Sequence, residues 1–228
     1  MENEMRKYAV IVAGGMGARM GADKPKQFLL LKDKPILWHT LEQFLKAYTD
    51  LQIILVLPEA FLGIGIEILP SLKDRERVQI ITGGPTRFDS VKNGLSVIHR
   101  NGIVFVHDAV RCLVSVDLIH RCYEQALEKG SAIPAVAATD SIRIVEGYAN
   151  VVEDRTRVRI IQTPQTFQTE LLLQAFQRSY DPSFTDEATV VESTGTPVFL
   201  IEGEYSNIKI TRPIDLIIAE SILNDRVE

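Results

Sequence analysis

The sequence predicts an α/β protein built on a mostly parallel sheet. Three observations carry that expectation. Short apolar, β-rich runs alternate with stretches whose apolar residues recur at helical spacing. Glycine or proline closes most of the runs. The chain has 228 residues, 46% hydrophobic and 24% charged, enough for a single domain over residues 1–228 with a substantial core. Strand, helix, strand in repetition needs crossover connections, hence parallel pairing with helices laid on the sheet. A formal net charge of −5 argues against a broad grip on nucleic acid, because counterion release needs a basic surface. It argues equally against an anionic membrane surface.

The elements follow in order. Lys7–Ala13 reads as a buried strand that ends in the glycine loop Gly14-Gly15-Met16-Gly17. After Pro35, the positions Ile36, Leu37, Leu41, Phe44 and Leu45 trace a helical face. Ile53–Leu57 is a second buried strand, closed by Pro58, and Val78–Thr82 a third, followed by Gly83-Gly84-Pro85. Thr86 and Asp89 have capping-box spacing ahead of a helix carrying Val91, Leu95 and Ile98. Ile103–Val106 is a fourth strand, Leu118–Leu127 a helix and Ala132–Ala137 a fifth strand. From Asp140 to Gln162 the rhythm breaks. Ser141–Val145 and Asn150–Val152 look like two arms around the turn Glu146-Gly147-Tyr148-Ala149, and Arg155, Arg157 and Arg159 follow with strand-like alternation. Residues 140–162 are read as a protruding β-arm used in homodimerisation; an edge hairpin on the same chain is the open alternative. Helices near Thr169–Ser179 and Asp186–Ser193, a strand Val198–Glu202 and a helix after Pro213 complete the chain.

Targeting signals are not evident. The N-terminal Met1-Glu2-Asn3-Glu4-Met5-Arg6-Lys7 carries two glutamates before a brief apolar run, which is not a secretory pattern. No stretch approaches the ~20 apolar residues of a membrane span. The two cysteines, Cys112 and Cys122, suit reduced thiols in a cytoplasmic protein, with a single bridge as the minor alternative.

Several loops could carry chemistry. Parallel sheets bind ligands at the carboxyl ends of their strands, so the loops after the first, third and fourth strands matter most. The first reads Ala13-Gly14-Gly15-Met16-Gly17-Ala18-Arg19-Met20-Gly21 and continues to Lys24-Pro25-Lys26-Gln27. Its glycines let backbone N–H groups approach an anion. Gly15, Gly17 and Gly21 are spaced one residue too widely for a dinucleotide fingerprint, and no Walker lysine follows. The embedded cations Arg19 and Lys26 suit a triphosphate whose charge rises during transfer. After the third strand, Gly83 and Gly84 offer backbone groups to a base edge and Ser90 adds a hydroxyl. After the fourth, His107-Asp108-Ala109-Val110-Arg111 places a carboxylate where Mg²⁺ could be held; His107 reads as a satisfied core histidine. Asp154-Arg155 with Thr163-Pro164-Gln165, and Ser206-Asn207-Ile208-Lys209-Ile210-Thr211, each add one basic residue beside hydroxyl or amide groups.

Together AGGMGARM, KPKQF, GGPTRFDSV, HDAVR, TPQTF, FTDEA and NIKITRP resemble the 2-C-methyl-D-erythritol 4-phosphate cytidylyltransferases, over almost the whole chain. The resemblance implies a Rossmann-like nucleotidyltransferase fold and a homodimer with interlocking β-arms. It implies a reaction of CTP with 2-C-methyl-D-erythritol 4-phosphate in non-mevalonate isoprenoid precursor biosynthesis, giving the CDP-alcohol and pyrophosphate with Mg²⁺ as cofactor. By residue match, Arg19 and Lys26 would hold the CTP phosphates and stabilise the transition state, and Asp108 would bind Mg²⁺. Ala13, Gly14, Gly15, Gly84, Ser90 and Ala109 would surround the nucleotide. Ser141, Arg155, Thr163 and Lys209 would meet the second substrate, Arg155 and Lys209 at its phosphate, with Arg155 acting from the neighbouring subunit. Enzymes that act on ribitol 5-phosphate share the glycine loop, HDAVR, TPQ and NIKIT, so a polyol-phosphate cytidylyltransferase stands as the alternative. A nucleotide-binding module without turnover is a third.

Overall fold

The computed structural model describes residues 5–14 and 25–226. In chain order these form β1 (Arg6–Val12), β2 (Leu30–Leu31), β3 (Lys34–Pro35), α1 (Ile36–Ala47), β4 (Gln52–Leu57), α2 (Leu62–Ile68), β5 (Val78–Thr82), α3 (Arg87–Leu95), β6 (Gly102–Asp108), α4 (Val116–Lys129) and β7 (Ser131–Ala137). There follow β8 (Ile142–Glu146), β9 (Ala149–Glu153), β10 (Arg159–Ile161), β11 (Gln165–Gln168), α5 (Thr169–Ala175), α6 (Glu187–Glu192), β12 (Leu200–Glu202) and α7 (Pro213–Asp225).

The main sheet has eight strands in the order β10-β7-β11-β6-β1-β4-β5, with β12 also paired to β7. β1 pairs in parallel with both β4 and β6, and β4 with β5. The chain runs outward from β1 through β4 to β5, then returns to place β6 on β1's other side. Strand order therefore reverses at β1, and a crevice opens at the carboxyl ends beside it.

Alternation along β1 divides the core. Ala9 and Ile11 face a cluster with Leu37, Leu41 and Phe44 of α1 and Leu118, Ile119 and Cys122 of α4. Val10 and Val12 face the opposite cluster with Val91 and Leu95 of α3, Leu172 of α5 and Val190 of α6. Helices thus cover both faces, the arrangement that buried parallel strands require. Each fully buried aliphatic or aromatic side chain contributes about 1.5–3 kcal/mol. Helix α7 closes a smaller cluster with Ile36, Val110, Leu113 and Ile210, which ties the segment around Lys209 to the loop after β6.

The mostly parallel sheet is as expected, but several other expectations need correction. Beyond β6 the sheet takes in β11, which lies antiparallel between β6 and β7. Its sequence, Gln165-Thr166-Phe167-Gln168, is too polar to read as a central strand, yet Gln165, Thr166 and Phe167 are all buried. Arg155–Arg157 forms a 3-10 turn rather than strand, and only Arg159–Ile161 is extended. Asp154 causes this, since its carboxylate accepts from the Thr156 amide and hydroxyl. The helix beginning at Thr169 stops at Ala175, short of Ser179. Helix α2, LGIGIEI, is an addition to the expected elements, its apolar pattern masked by two glycines. Helix α4 begins earlier than its apolar face suggested, with the Ser115 hydroxyl accepting from the Leu118 amide.

Within residues 140–162 the two expected extended arms form a hairpin. β8 and β9 pair with each other alone in a two-stranded sheet. Val145, Val151 and Val152 are 69%, 62% and 71% exposed. The register places Ile144 opposite Val151 and Arg143 opposite Val152, so Ile144 and Val151 share one face of the hairpin while Val145 and Val152 lie on the other. Among the described residues the cysteines are free and buried. Burial pushes both thiols up to about 12, which makes them inert packing residues.

Candidate active site

A cavity of about 340 Å³ sits at the strand-order reversal. Its wall is built from the carboxyl ends of β1, β4, β5 and β6 and from Lys26, Arg87 and Lys209. Backbone bonds carry the parallel ladders past the strand ends and so set the loops. The Ala13 amide donates to Val56 O at 3.0 Å, Gly83 to Leu57 O at 2.8 Å and Ala109 to Val12 O at 3.0 Å. The buried Gln27 amide donates to Ala13 O at 2.7 Å, pinning the returning loop beside Lys26.

The Gly83-Gly84 corner is shaped by crowding. A Cβ on Gly84 would lie 2.3 Å from the Asp89 Cβ, so a larger residue would displace the start of α3. Thr86 and Asp89 form the reciprocal capping box that fixes that start. The Gly84 amide donates to the Ser90 Oγ at 3.1 Å, and the Ser90 hydroxyl donates to Thr86 O at 2.9 Å. Ser90 therefore faces the cavity as an acceptor, its proton already committed.

Asp108 is the one carboxylate among the described lining residues, and cations crowd it. Lys209 Nζ is 2.8 Å from Oδ2, Arg87 Nη2 3.4 Å from Oδ1 and Arg111 Nε 3.8 Å from Oδ2. Burial alone would raise its pKa; Arg87, Lys209 and Arg111 outweigh that and hold it below the usual carboxylate range. Among the described residues no group of three or more His, Cys, Asp or Glu could cage a metal. A single carboxylate fits a Mg²⁺ that brings phosphate and water ligands with it, the ordinary habit of that ion.

His107 lies wholly inside. Its Nε2 is 3.1 Å from Arg111 O, an acceptor, so Nε2 carries the proton. Nδ1 then accepts from the Thr163 hydroxyl at 3.0 Å, and Thr163 Oγ1 accepts from the Asp108 amide at 3.1 Å. Burial pushes the imidazole down to about 3, against the raising pull of Asp108. An unfolded histidine titrates near ~6.5, so the unfolded chain takes the proton first. Stability is then complete above about pH 6.5 and falls as the pH drops toward 3, at a slope approaching ~1.4 kcal/mol per pH unit. Urea unfolding between pH 6.5 and 5 should show that slope, and His107→Gln should flatten it. Equal slopes in the two proteins would remove His107 from the account.

The predicted residues divide into four groups. Ala13, Gly14, Lys26, Gly84, Ser90, Asp108, Ala109 and Lys209 come together around the cavity. Thr163 does not line it; the residue is 5% exposed and its hydroxyl is spent on His107 and Asp108, so it supports the Asp108 loop from behind. Ser141 and Arg155 lie at the root of the arm and do not line this chain's cavity, Arg155 donating instead to Thr139 O at 2.6 Å. Gly15 and Arg19 lie outside the described residues. Sequence reasoning missed Arg87, hidden as one letter within a capping motif, and Glu187, which pairs with it through both carboxylate oxygens.

Residues 8–225 match the 2-C-methyl-D-erythritol 4-phosphate cytidylyltransferase family. The chain belongs to that family. A cytidylyltransferase of this family from Bacteroides thetaiotaomicron is 45% identical over 219 residues, covering 96% of this chain and 100% of that one. A 4-diphosphocytidyl-2C-methyl-D-erythritol synthase structure from Anaerococcus prevotii superposes with a TM-score of 0.82 at 26% identity, covering 96% and 99% of the two chains. The Francisella tularensis cytidylyltransferase structure gives 0.77 at 33% identity, covering 95% and 99%. The fold is accordingly that of this nucleotidyltransferase family, and no helix of the described residues is long and apolar enough to cross a membrane.

Proposed function

We propose that the chain transfers the cytidylyl group of CTP to 2-C-methyl-D-erythritol 4-phosphate, releasing pyrophosphate, as the names of its relatives indicate for them. One observation carries the chemistry: Lys26, Arg87 and Lys209 converge with a single carboxylate on a cavity whose other end is glycine-lined and apolar. The narrow glycine corner and Ser90 suit a pyrimidine and ribose, and the charged end suits the triphosphate. An oxygen of the substrate phosphate forms a bond to the α-phosphorus of CTP, and the bond from that phosphorus to the bridging oxygen breaks. The attacking oxygen is already anionic, so no general base is needed. Two anions must meet, and the protein's task is positioning and charge neutralisation. Lys26 lines the charged end and would face the triphosphate, a role that the family resemblance alone extends to Arg19; Asp108 would hold Mg²⁺, which supplies further neutralisation of the phosphates when bound. Lys209 rests on Asp108 and is 42% exposed, able to turn toward a second phosphate.

The remaining residues for that phosphate come from the arm. Because Ser141 and Arg155 are displaced from this chain's cavity while each face of the hairpin carries exposed apolar side chains, we place them in the site of a second copy, making a homodimer. Two unbridged, buried thiols suit the cytoplasm. Arg155→Ala and Lys209→Ala are each expected to raise the KM for the alcohol phosphate at least tenfold with a smaller change for CTP. A rise confined to CTP would reverse the two half-sites.

Pyrophosphate release tests the function. CTP, Mg²⁺ and 2-C-methyl-D-erythritol 4-phosphate should support turnover, and ribitol 5-phosphate should do so poorly. A preference for ribitol 5-phosphate would overturn the substrate assignment, and no release with either would overturn the activity.

A further inference from the structure

Glu187 is a carboxylate with no place in the chemistry above, yet it is 1% exposed. Burying an ionised carboxylate is costly unless it is paired and hydrogen-bonded, so its surroundings are informative. It opens α6, and its backbone is held on each side. Asp186 caps the helix through the Thr189 amide at 2.9 Å. Gln165, on β11, bridges Asp186 and α6: its amide nitrogen donates to Asp186 Oδ2 at 2.8 Å and its oxygen accepts from the Ala188 amide at 2.9 Å. Both Glu187 oxygens then meet the two terminal nitrogens of Arg87, one pair at 3.0 Å. The same Arg87 Nη2 that donates to Glu187 stands 3.4 Å from Asp108, beyond a good charge-assisted bond. Arg87 is the only link in this series that lines the cavity.

A guanidinium shared in this way has two available partners. Without Glu187, Arg87 would close on Asp108, taking up the carboxylate and withdrawing its charge from the cavity. We propose that Glu187 is a positioning residue for nucleotide binding: it holds the Arg87 fork off Asp108, so that Arg87 presents its charge to the triphosphate and Asp108 keeps an oxygen available. The series Gln165, Asp186, Glu187 and Arg87 connects the FTDEA stretch to the GGPTRF corner 100 residues earlier, and gives the acidic pair a purpose that helix capping alone does not.

This inference rests on the CTP site proposed above. The test is a double-mutant cycle of E187Q, R87A and the combined variant, with CTP affinity by calorimetry and steady-state kinetics for both substrates. E187Q should lower kcat/KM for CTP about 10- to 100-fold and leave the KM for the alcohol phosphate within about twofold. The combined variant should be no worse than R87A, since Glu187 acts only through Arg87. A purely structural role would lower melting temperature and disturb both substrates alike. Multiplying effects, or unchanged CTP kinetics in E187Q, would overturn the proposal. If E187Q does not fold, E187D takes its place: it keeps the charge but draws the fork back by one methylene, and must weaken CTP selectively. A crystal structure of the ligand-free variant reads the geometry without turnover; Arg87 must have closed on Asp108, and an unmoved Arg87 overturns the proposal. Failure of the CTP site itself would show in the wild type, which would then bind no CTP.

Discussion

Lys26→Ala should lower turnover about 100- to 1000-fold, the usual loss when one preorganised donor to transition-state charge is removed, while the protein stays folded. Lys26 begins a 3-10 turn immediately after Pro25, and the neighbouring Gln27 anchors that turn to Ala13 O. The lysine's place in the wall is therefore set by backbone that the substitution leaves alone. Negative charge builds on the oxygens around the α-phosphorus, the departing bridging oxygen included, as the attacking oxygen arrives, and an ammonium already desolvated beside them needs no reorganisation at that moment. The effect should fall on kcat, with a smaller change in KM for CTP, and circular dichroism should match the wild type. A rate within about threefold of wild type would remove Lys26 from the mechanism, because a donor worth less than ~0.7 kcal/mol is no transition-state contact.

The second large effect concerns the arm. Val145→Asp combined with Val152→Asp should convert the proposed homodimer to monomer at micromolar concentration. A two-stranded hairpin is at best marginally stable alone in water, and this one exposes apolar side chains on both faces. Packing against its own domain would cover only one. Each carboxylate forced into such a contact costs about 2 kcal/mol or more. Two of them raise the dimer dissociation constant about 1000-fold. Sedimentation velocity should show the monomer, and activity should fall with it, because Ser141 and Arg155 would no longer reach the neighbouring cavity. A monomer with full activity would place the second substrate's phosphate elsewhere. An unchanged dimer would place the interface elsewhere.

Asp108 is surrounded by Arg87, Arg111 and Lys209, more positive charge than one carboxylate neutralises. Glu187 takes up part of Arg87, and the remainder is directed at the cavity. That surplus is what a pair of phosphorylated substrates requires. Arg111 is spent differently. It donates to Asn207 O at 2.8 Å and so joins the loop after β6 to the segment carrying Lys209, while the Asn207 side chain donates to Thr163 O at 2.9 Å. Polar groups on three separate loops are thereby held in register below the cavity floor.

Much of this protein was decided locally. The strands β1, β4 and β6 carry continuous apolar runs, and a run buried on both faces announces itself wherever it lies in the chain. The capping box at Thr86 and Asp89 and the glycine corner before it are local chemistry as well, and so are the arm's two apolar strands. The order of the strands was not local. That β11 enters between β6 and β7 depends on a polar segment finding partners in strands formed long before it in the chain, which no window of sequence displays. Asp108, Lys209, Arg87 and Glu187 could each be recognised as charged residues near turns. Their convergence required the crossover at β1, the return of the chain to Lys209 and the docking of α6. Charge is a property of a residue, but the neutralisation of one charge by another is a property of distance, and distance is set only when the layers pack.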